Sequence, residues 1–176
     1  MHKSLEKTYK KFTDDFEVLL NKCAQLTSEE LNEPISKGKW SVGQILTHIN
    51  LAIKNCNNYL LKKLKTPENI PPTNFTTFFR SKLLNAALKS DLKFKAPRGI
   101  DIIQETNALE KIQEEWSKQN GVLSELLESF PTLLLKKAVF RHPSAGRITI
   151  HQTLEFMHLH ILHHKRQIER HLQSRK

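Results

Sequence analysis

Four long stretches of the chain place apolar residues three and four positions apart, the spacing that puts them on one face of an α-helix. The stretches run from about Ser4 to Gln25, Ser41 to Lys65, Ala108 to Phe130 and Thr149 to Leu172. Only five Gly and seven Pro occur in 176 residues, which argues against a turn-rich β architecture. We therefore predict an all-α fold, a four-helix bundle, in which residues 1–176 form a single domain.

Three helix starts carry local signals. Ser41 is followed by Gln44 and Thr149 by Gln152, the capping-box spacing in which the two side chains satisfy each other's backbone N–H groups. The segment Thr27-Ser28-Glu29-Glu30 is typical of a short helical start. These signals predict where the second and last long helices begin.

The connection between the second and third long helices, residues 66–106, is long enough to contain structure of its own. A proline-containing loop at 67–73 is followed by a predicted short helix from Phe75 to Ala87. Residues 88–106 are predicted to be irregular, with a turn at Pro97-Arg98-Gly99. Residues 132–148 are predicted to be a plain connection to the last helix.

The last helix carries the pair His160 and His164. Residues four apart on a helix project from the same side, so both imidazoles can bind one metal ion. At 100° per residue, His164 lies about 50° and His160 about 90° from the centre of the apolar stripe. The same phasing places His163 nearly opposite the stripe and predicts that it is solvated, with His158 on the other flank.

A third ligand is needed to complete a metal site. His48, in the second long helix, lies about 80° from the centre of that helix's apolar stripe, at a margin from which it can reach a neighbouring helix. Three neutral imidazoles with open positions suit Zn²⁺, Ni²⁺ or a similar ion. The alternative is that a His-rich helix in a basic protein binds no metal, since the spacing lacks the Glu of an HExxH motif.

Composition limits the other function classes. The formal net charge of +10 raises nucleic-acid binding as an alternative, but the basic residues are scattered in short clusters without interleaved aromatic residues, which favours solvated surface charge. Cys23 and Cys56 lack CxxC spacing and are interpreted as two buried thiols in a reducing cytosol. No signal peptide and no apolar run of transmembrane length is visible, so we expect a cytoplasmic protein without a membrane segment.

Three motifs resemble those of the DinB superfamily, particularly its YfiT-like and thiol-transferase branches. Residues 40–49, which begin with Trp40-Ser41 and include His48, resemble the entry to that family's second helix. His142-Pro143-Ser-Ala-Gly146 resembles its connection before the last helix, and His160 to Ile168 resembles its last-helix motif. Arg166 departs from the pattern, because a Gly is common at that position.

The resemblance implies an up-down-down-up four-helix bundle with a divalent metal ion bound by His48, His160 and His164. It further implies a small-molecule substrate, since characterised relatives use low-molecular-weight thiols, and a homodimer, since some members are dimeric. We therefore expect a metal-dependent enzyme, a thiol S-transferase or a hydrolase. A non-catalytic metal-binding or stress-response bundle is the alternative, and nucleic-acid binding is ranked last. Neither the residues nor the resemblance identifies a catalytic acid or base.

Overall fold

The computed structural model describes residues 1–73, 75–89 and 108–174. Six α-helices lie in these ranges: α1 (Lys3–Cys23), α2 (Ser28–Asn32), α3 (Val42–Leu64), α4 (Phe75–Lys89), α5 (Leu109–Glu128) and α6 (Ile150–Ser174). Two short strands, β1 (Phe140–His142) and β2 (Gly146–Ile148), precede α6, and 3₁₀ turns occur at Pro67–Asn69 and Thr132–Leu134. The helices α1, α3, α5 and α6 correspond to the four predicted long stretches, so the predicted all-α bundle is confirmed.

Local capping determines where several helices begin. The hydroxyl of Ser41 accepts from the Gln44 backbone N–H, and the Gln44 side chain accepts from the Ser41 backbone N–H. Thr149 and Gln152 make the same reciprocal pair at the start of α6. A third capping box, made by Thr27 and Glu30, starts α2. The predicted helix starts are therefore confirmed at the level of individual hydrogen bonds.

Contacts between α1 and α6 show that these two helices run parallel. Asp15 contacts His158 and Lys165, and Lys22, further along α1, contacts Glu169, further along α6. Later residues of α1 therefore contact later residues of α6, as in a parallel pair of helices.

Contacts between α3 and α5 show a second parallel pair. The Asn50 amide donates to the Ile112 carbonyl, and the Asn57 amide, two turns later, donates to the Gln119 carbonyl. In contrast, α1 and α5 are antiparallel, because Tyr9 bonds Asn120 whereas Phe16, further along α1, packs on Trp116, earlier in α5. The order of directions is up, down, down, up, as predicted.

The core is one continuous cluster to which all four long helices contribute. Large side chains that are fully buried there include Phe12, Phe16, Leu46, Ile49, Leu123, Leu127, Ile150 and Leu154. Their burial provides the main stabilising free energy of the bundle. Among the helices in the described part of the chain, none is long and apolar enough to cross a membrane.

The connections differ from the predictions in two places. Helix α4 extends to Lys89, so residues 88 and 89 are helical rather than irregular, and the turn predicted at 97–99 lies outside the described residues. The predicted plain connection at 132–148 contains an antiparallel hairpin, in which Phe140 pairs with Ile148 and His142 with Gly146. Strands of three residues are too short to show a period in the sequence.

Candidate metal centre

Two helices bring three histidine side chains together. His48 lies about two turns after the Ser41 cap of α3. His160 and His164 lie one turn apart in α6. The Nε2 atom of His160 is 3.3 Å from Nε2 of His48 and 3.1 Å from Nε2 of His164. One nitrogen from each ring lies within 4.8 Å of the other two, so the predicted ligand set is assembled in space.

The separations of these nitrogens match the requirements of a metal ion. Two nitrogens bound at 2.0–2.1 Å with tetrahedral angles lie roughly 3.3 Å apart. The observed separations of 3.1 and 3.3 Å are close to that value. Hydrogen bonding is a poorer account of the cluster, because Nε2 of His160 has either one proton or one lone pair and must share it between two neighbouring nitrogens. The donor set therefore fits a divalent ion that accepts one lone pair from each ring.

Hydrogen bonding determines which nitrogen of His164 points into the cluster. Its Nδ1 lies 2.8 Å from Oε1 of Gln167, an amide oxygen that can only accept. The proton of the neutral ring therefore resides on Nδ1, and Nε2 keeps its lone pair toward His160. Such an outer partner commonly orients a histidine ligand.

Burial keeps His160 and His164 neutral. The side chains of His48 and His164 are 5% and 7% exposed. His160 is half-buried as a residue, but its ring is enclosed, and burial followed by the neighbouring His164 and His48 holds its pKa well below the ordinary value. Burial, together with His48, lowers the pKa of His164 to about 3, although the Gln167 hydrogen bond acts in the opposite direction. Neutral imidazole is the form that binds a metal ion.

Aromatic side chains enclose the cluster. The Trp40 ring lies 4.9 Å from the His48 ring, so Trp40 packs beside the site. Phe156, one turn before His160 on α6, stacks on the His160 ring at 5.7 Å. Phe156 was not predicted as a site residue, although its i, i+4 spacing from His160 was the available signal.

Two other histidines of α6, His163 and His158, lie outside the triad. His163 is 7% exposed, so the prediction that it is solvated is wrong. Helix α4 packs against α6, and the Arg166 side chain donates to the Leu88 carbonyl, so a face of α6 that phasing assigned to solvent is covered. His158 pairs with Asp15 at 2.8 Å between α6 and α1, away from the triad.

Cys23 and Cys56 are both free and buried, in agreement with the sequence interpretation. Burial raises the pKa of each thiol to about 12, so neither provides a thiolate at neutral pH. The thiols are therefore parts of the core rather than nucleophiles or ligands.

Comparison with known proteins identifies the family. The DinB superfamily model matches residues 11–168. No curated protein sequence matches the chain. A solved structure, YfiT from Bacillus subtilis, superimposes with a TM-score of 0.64 at 17% sequence identity, covering 99% of this chain and 89% of that one. YfiT is described as "a probable metal-dependent hydrolase with an unusual four-helix bundle topology", and the likeness supports the fold. Because the family model covers most of the chain, this protein belongs to the DinB superfamily.

Proposed function

We propose that this protein is a divalent-metal-dependent enzyme in which His48, His160 and His164 bind Zn²⁺ or Ni²⁺. An open position beside them would receive a low-molecular-weight thiol for transfer to an electrophile. The observation that carries the proposal is the convergence of three Nε2 atoms, with His160 at 3.3 Å and 3.1 Å from its two partners.

The number of ligands supports catalysis over a purely structural ion. Structural zinc sites are closed by four protein ligands, whereas catalytic sites use three and keep one position open. The potential metal-binding group within the described ranges consists of three histidines. A bound divalent ion would lower the pKa of a thiol or a water molecule at such an open position.

The chain's own residues would hold and orient the ligands. Gln167 fixes the ring of His164, and Trp40 packs on the ring of His48. Phe156 stacks on His160 and limits the volume beside it. These contacts pre-organise the three nitrogens, which lowers the cost of assembling a site when an ion binds.

Hydrolysis is the second candidate reaction. It is favoured by the similarity in fold to YfiT, which is described as a probable metal-dependent hydrolase. In that case water rather than a thiol would occupy the open position. The alternative to an enzyme is a protein in which the metal ion has no catalytic role. The burial of His48 and His164 favours this alternative.

Metal analysis of untagged protein tests the proposal. We expect about one equivalent of a divalent metal ion after purification or reconstitution, and a loss of most of it in His48→Ala, His160→Ala and His164→Ala. His151→Ala is the matched control, because His151 is a half-buried histidine in the first turn of the same helix. A near-zero metal content in the wild-type protein, unchanged by His160→Ala, would overturn the proposal.

A second measurement separates enzyme from structural bundle. Cobalt-substituted protein should change its visible absorption when a small thiol such as 2-mercaptoethanol is added, because the thiolate enters an open position. A structural ion should instead raise the melting temperature strongly and leave the spectrum unchanged by thiol. Parallel assays with ester and amide substrates would identify hydrolysis. The predicted homodimer stays a prediction, which sedimentation of the metal-loaded protein would test.

A further inference from the structure

The hairpin between β1 and β2 holds a histidine whose ring orientation is fixed by the backbone. His142 ends β1, and Gly146, with φ of 76°, begins β2 after a three-residue loop. The backbone N–H groups of Ser144 and Ala145 both donate to Nδ1 of His142, at 3.1 and 3.2 Å. A nitrogen that accepts two hydrogen bonds carries no proton, so the proton of the neutral ring resides on Nε2.

The ring of His142 lies close to the triad. It is 8% exposed and packs edge-on against Phe156, with ring centroids 4.4 Å apart. Phe156 in turn stacks on His160. His142 is therefore connected to the candidate metal centre through two ring contacts, from His142 to Phe156 and from Phe156 to His160.

The Nε2–H group of His142 has no acceptor in the part of the chain that the structure describes. Although the residue is only 8% exposed, this nitrogen keeps access to solvent, so its N–H is available to another molecule that binds there. Burial also lowers the pKa of His142 to about 4, so the ring stays a neutral donor at physiological pH.

We propose that His142 is a substrate-binding residue whose Nε2–H donates to an oxygen atom of the molecule bound at the histidine triad. This inference rests on the proposed function, because it assumes that a substrate occupies the open metal position. The chemical class is a small thiol or related molecule that carries a carboxylate or carbonyl oxygen a few bonds from its metal-binding atom. Recognition through a neutral donor favours substrates that carry such an oxygen over plain alkyl thiols.

Two amide substitutions separate this role from a purely structural one. In His142→Asn, the amide oxygen can take the place of Nδ1 and accept from Ser144 and Ala145, but the Nε2–H donor is lost. In His142→Gln, the amide nitrogen can take the place of Nε2–H, but the acceptor for the turn is lost. Thermal melting of the metal-free variants checks this premise, and we expect the Asn variant to melt close to the wild-type protein and above the Gln variant.

The binding test uses cobalt-substituted protein and two thiol series. Mercaptoacetate, 3-mercaptopropionate and 4-mercaptobutyrate place a carboxylate at increasing distance, and the matching alkanethiols lack it. Visible absorption reports the dissociation constant of each. In wild-type protein we expect at least one carboxylate thiol to bind about tenfold more tightly than its alkyl counterpart, the gain typical of one hydrogen bond to a charged group. His142→Asn should abolish that ratio, and His142→Gln should retain most of it.

The outcomes distinguish the two proposals. If cobalt does not bind wild-type protein, or if no thiol of either series binds the cobalt protein, the proposed function fails and the inference about His142 fails with it. If both bind but carboxylate thiols show no advantage, or keep their advantage in His142→Asn, the inference fails while the proposed function stands. A Gln variant that melts above the Asn variant would also overturn it, because the assumed ring orientation would then be wrong.

Discussion

The Nδ1 atom of His164 donates a hydrogen bond to Oε1 of Gln167, 2.8 Å away and one helical turn later. This bond decides the chemistry of the opposite ring nitrogen. With the proton held on Nδ1, the lone pair of Nε2 is directed at His160, 3.1 Å away. Gln167 thus acts on the candidate metal centre without being part of the ligand set.

Replacing Gln167 tests this relationship. We expect Gln167→Leu to weaken metal binding by about 10- to 100-fold, because the ring of His164 loses the acceptor that orients it. Competition against a chromophoric chelator measures the change. Gln167→Glu is the matched control and should keep high affinity, since a carboxylate also accepts from Nδ1.

The contact between Gln167 and His163 provides a further check. The Gln167 amide nitrogen lies 3.4 Å from Nε2 of His163. If the effect of Gln167→Leu were transmitted through that contact, His163→Ala would weaken metal binding equally. We expect His163→Ala to change the affinity by less than about threefold, and an equal loss in both variants would contradict the orienting role.

The buried histidines predict that the metal-free protein loses stability in acid. His142 and His164 titrate near 6.5 when unfolded, whereas burial lowers the pKa of these residues in the folded state to about 4 and about 3. Above pH 6.5 both states are neutral, so the stability contribution is complete. As the pH falls below 6.5, the unfolded chain binds protons that the folded chain does not, and the free energy of unfolding decreases.

The expected size of this loss is about 2 kcal/mol per histidine by pH 5, at about 1.4 kcal/mol per pH unit. Urea unfolding of the metal-stripped protein at pH 7.5, 6 and 5 measures it. His142→Asn removes one of the buried histidines and should make the decline shallower. Equal stability at pH 7.5 and 5 would show that these rings are protonated in the folded state.

A buried side-chain hydrogen bond between α3 and α5 predicts a large effect on stability. The side chain of Asn57 is 0% exposed, and its Nδ2 donates to the Gln119 carbonyl at 2.9 Å and to Oε1 of Gln119 at 3.1 Å. Asn57→Ala should lower the free energy of unfolding by about 1–3 kcal/mol, because two acceptors lose their donor. Asn57→Asp should cost more, since it places a carboxylate against two oxygen atoms.

Chemical denaturation measures both Asn57 variants at neutral pH. The matched control is Asn21→Ala, at an exposed position within α1, which should stay within about 0.5 kcal/mol of wild type. If Asn57→Asp were no less stable than Asn57→Ala, the parallel register of α3 and α5 inferred from this bond would be wrong.

The two thiols are predicted to be unreactive until the protein unfolds. Burial raises the pKa of Cys23 and of Cys56 to about 12, and thiolate is the reactive form. Under native conditions at pH 8, a disulfide reagent such as DTNB should label well under one equivalent over minutes, and two equivalents in denaturant. Rapid native labelling of one thiol would reopen the question of a nucleophilic cysteine.

Features made by residues close in the chain could be predicted from the sequence. The capping boxes at Ser41 and Thr149 each join residues three positions apart, so the spacing alone contains the information. The shared side of His160 and His164 follows from helical geometry in the same way.

Features that depend on contacts between distant segments could not be predicted from local sequence. His163 was predicted to be solvated, but it is buried. The sequence of α6 contains no information that α4 packs against this helix. The hairpin at Phe140–Ile148 was missed because its short strands are stabilised by pairing and burial rather than by local preference.

The sequence by itself determined the four amphipathic helices, their starts and the three histidines of the candidate centre, because helix phase and capping depend on neighbours within one or two turns. Only the tertiary structure decided that His48 reaches His160, since that distance depends on how α3 packs against α6. It also decided the solvent exposure of His163 and the position of His142 beside Phe156. Burial depends on which segments meet, and that is a property of the whole packed chain rather than of any one helix.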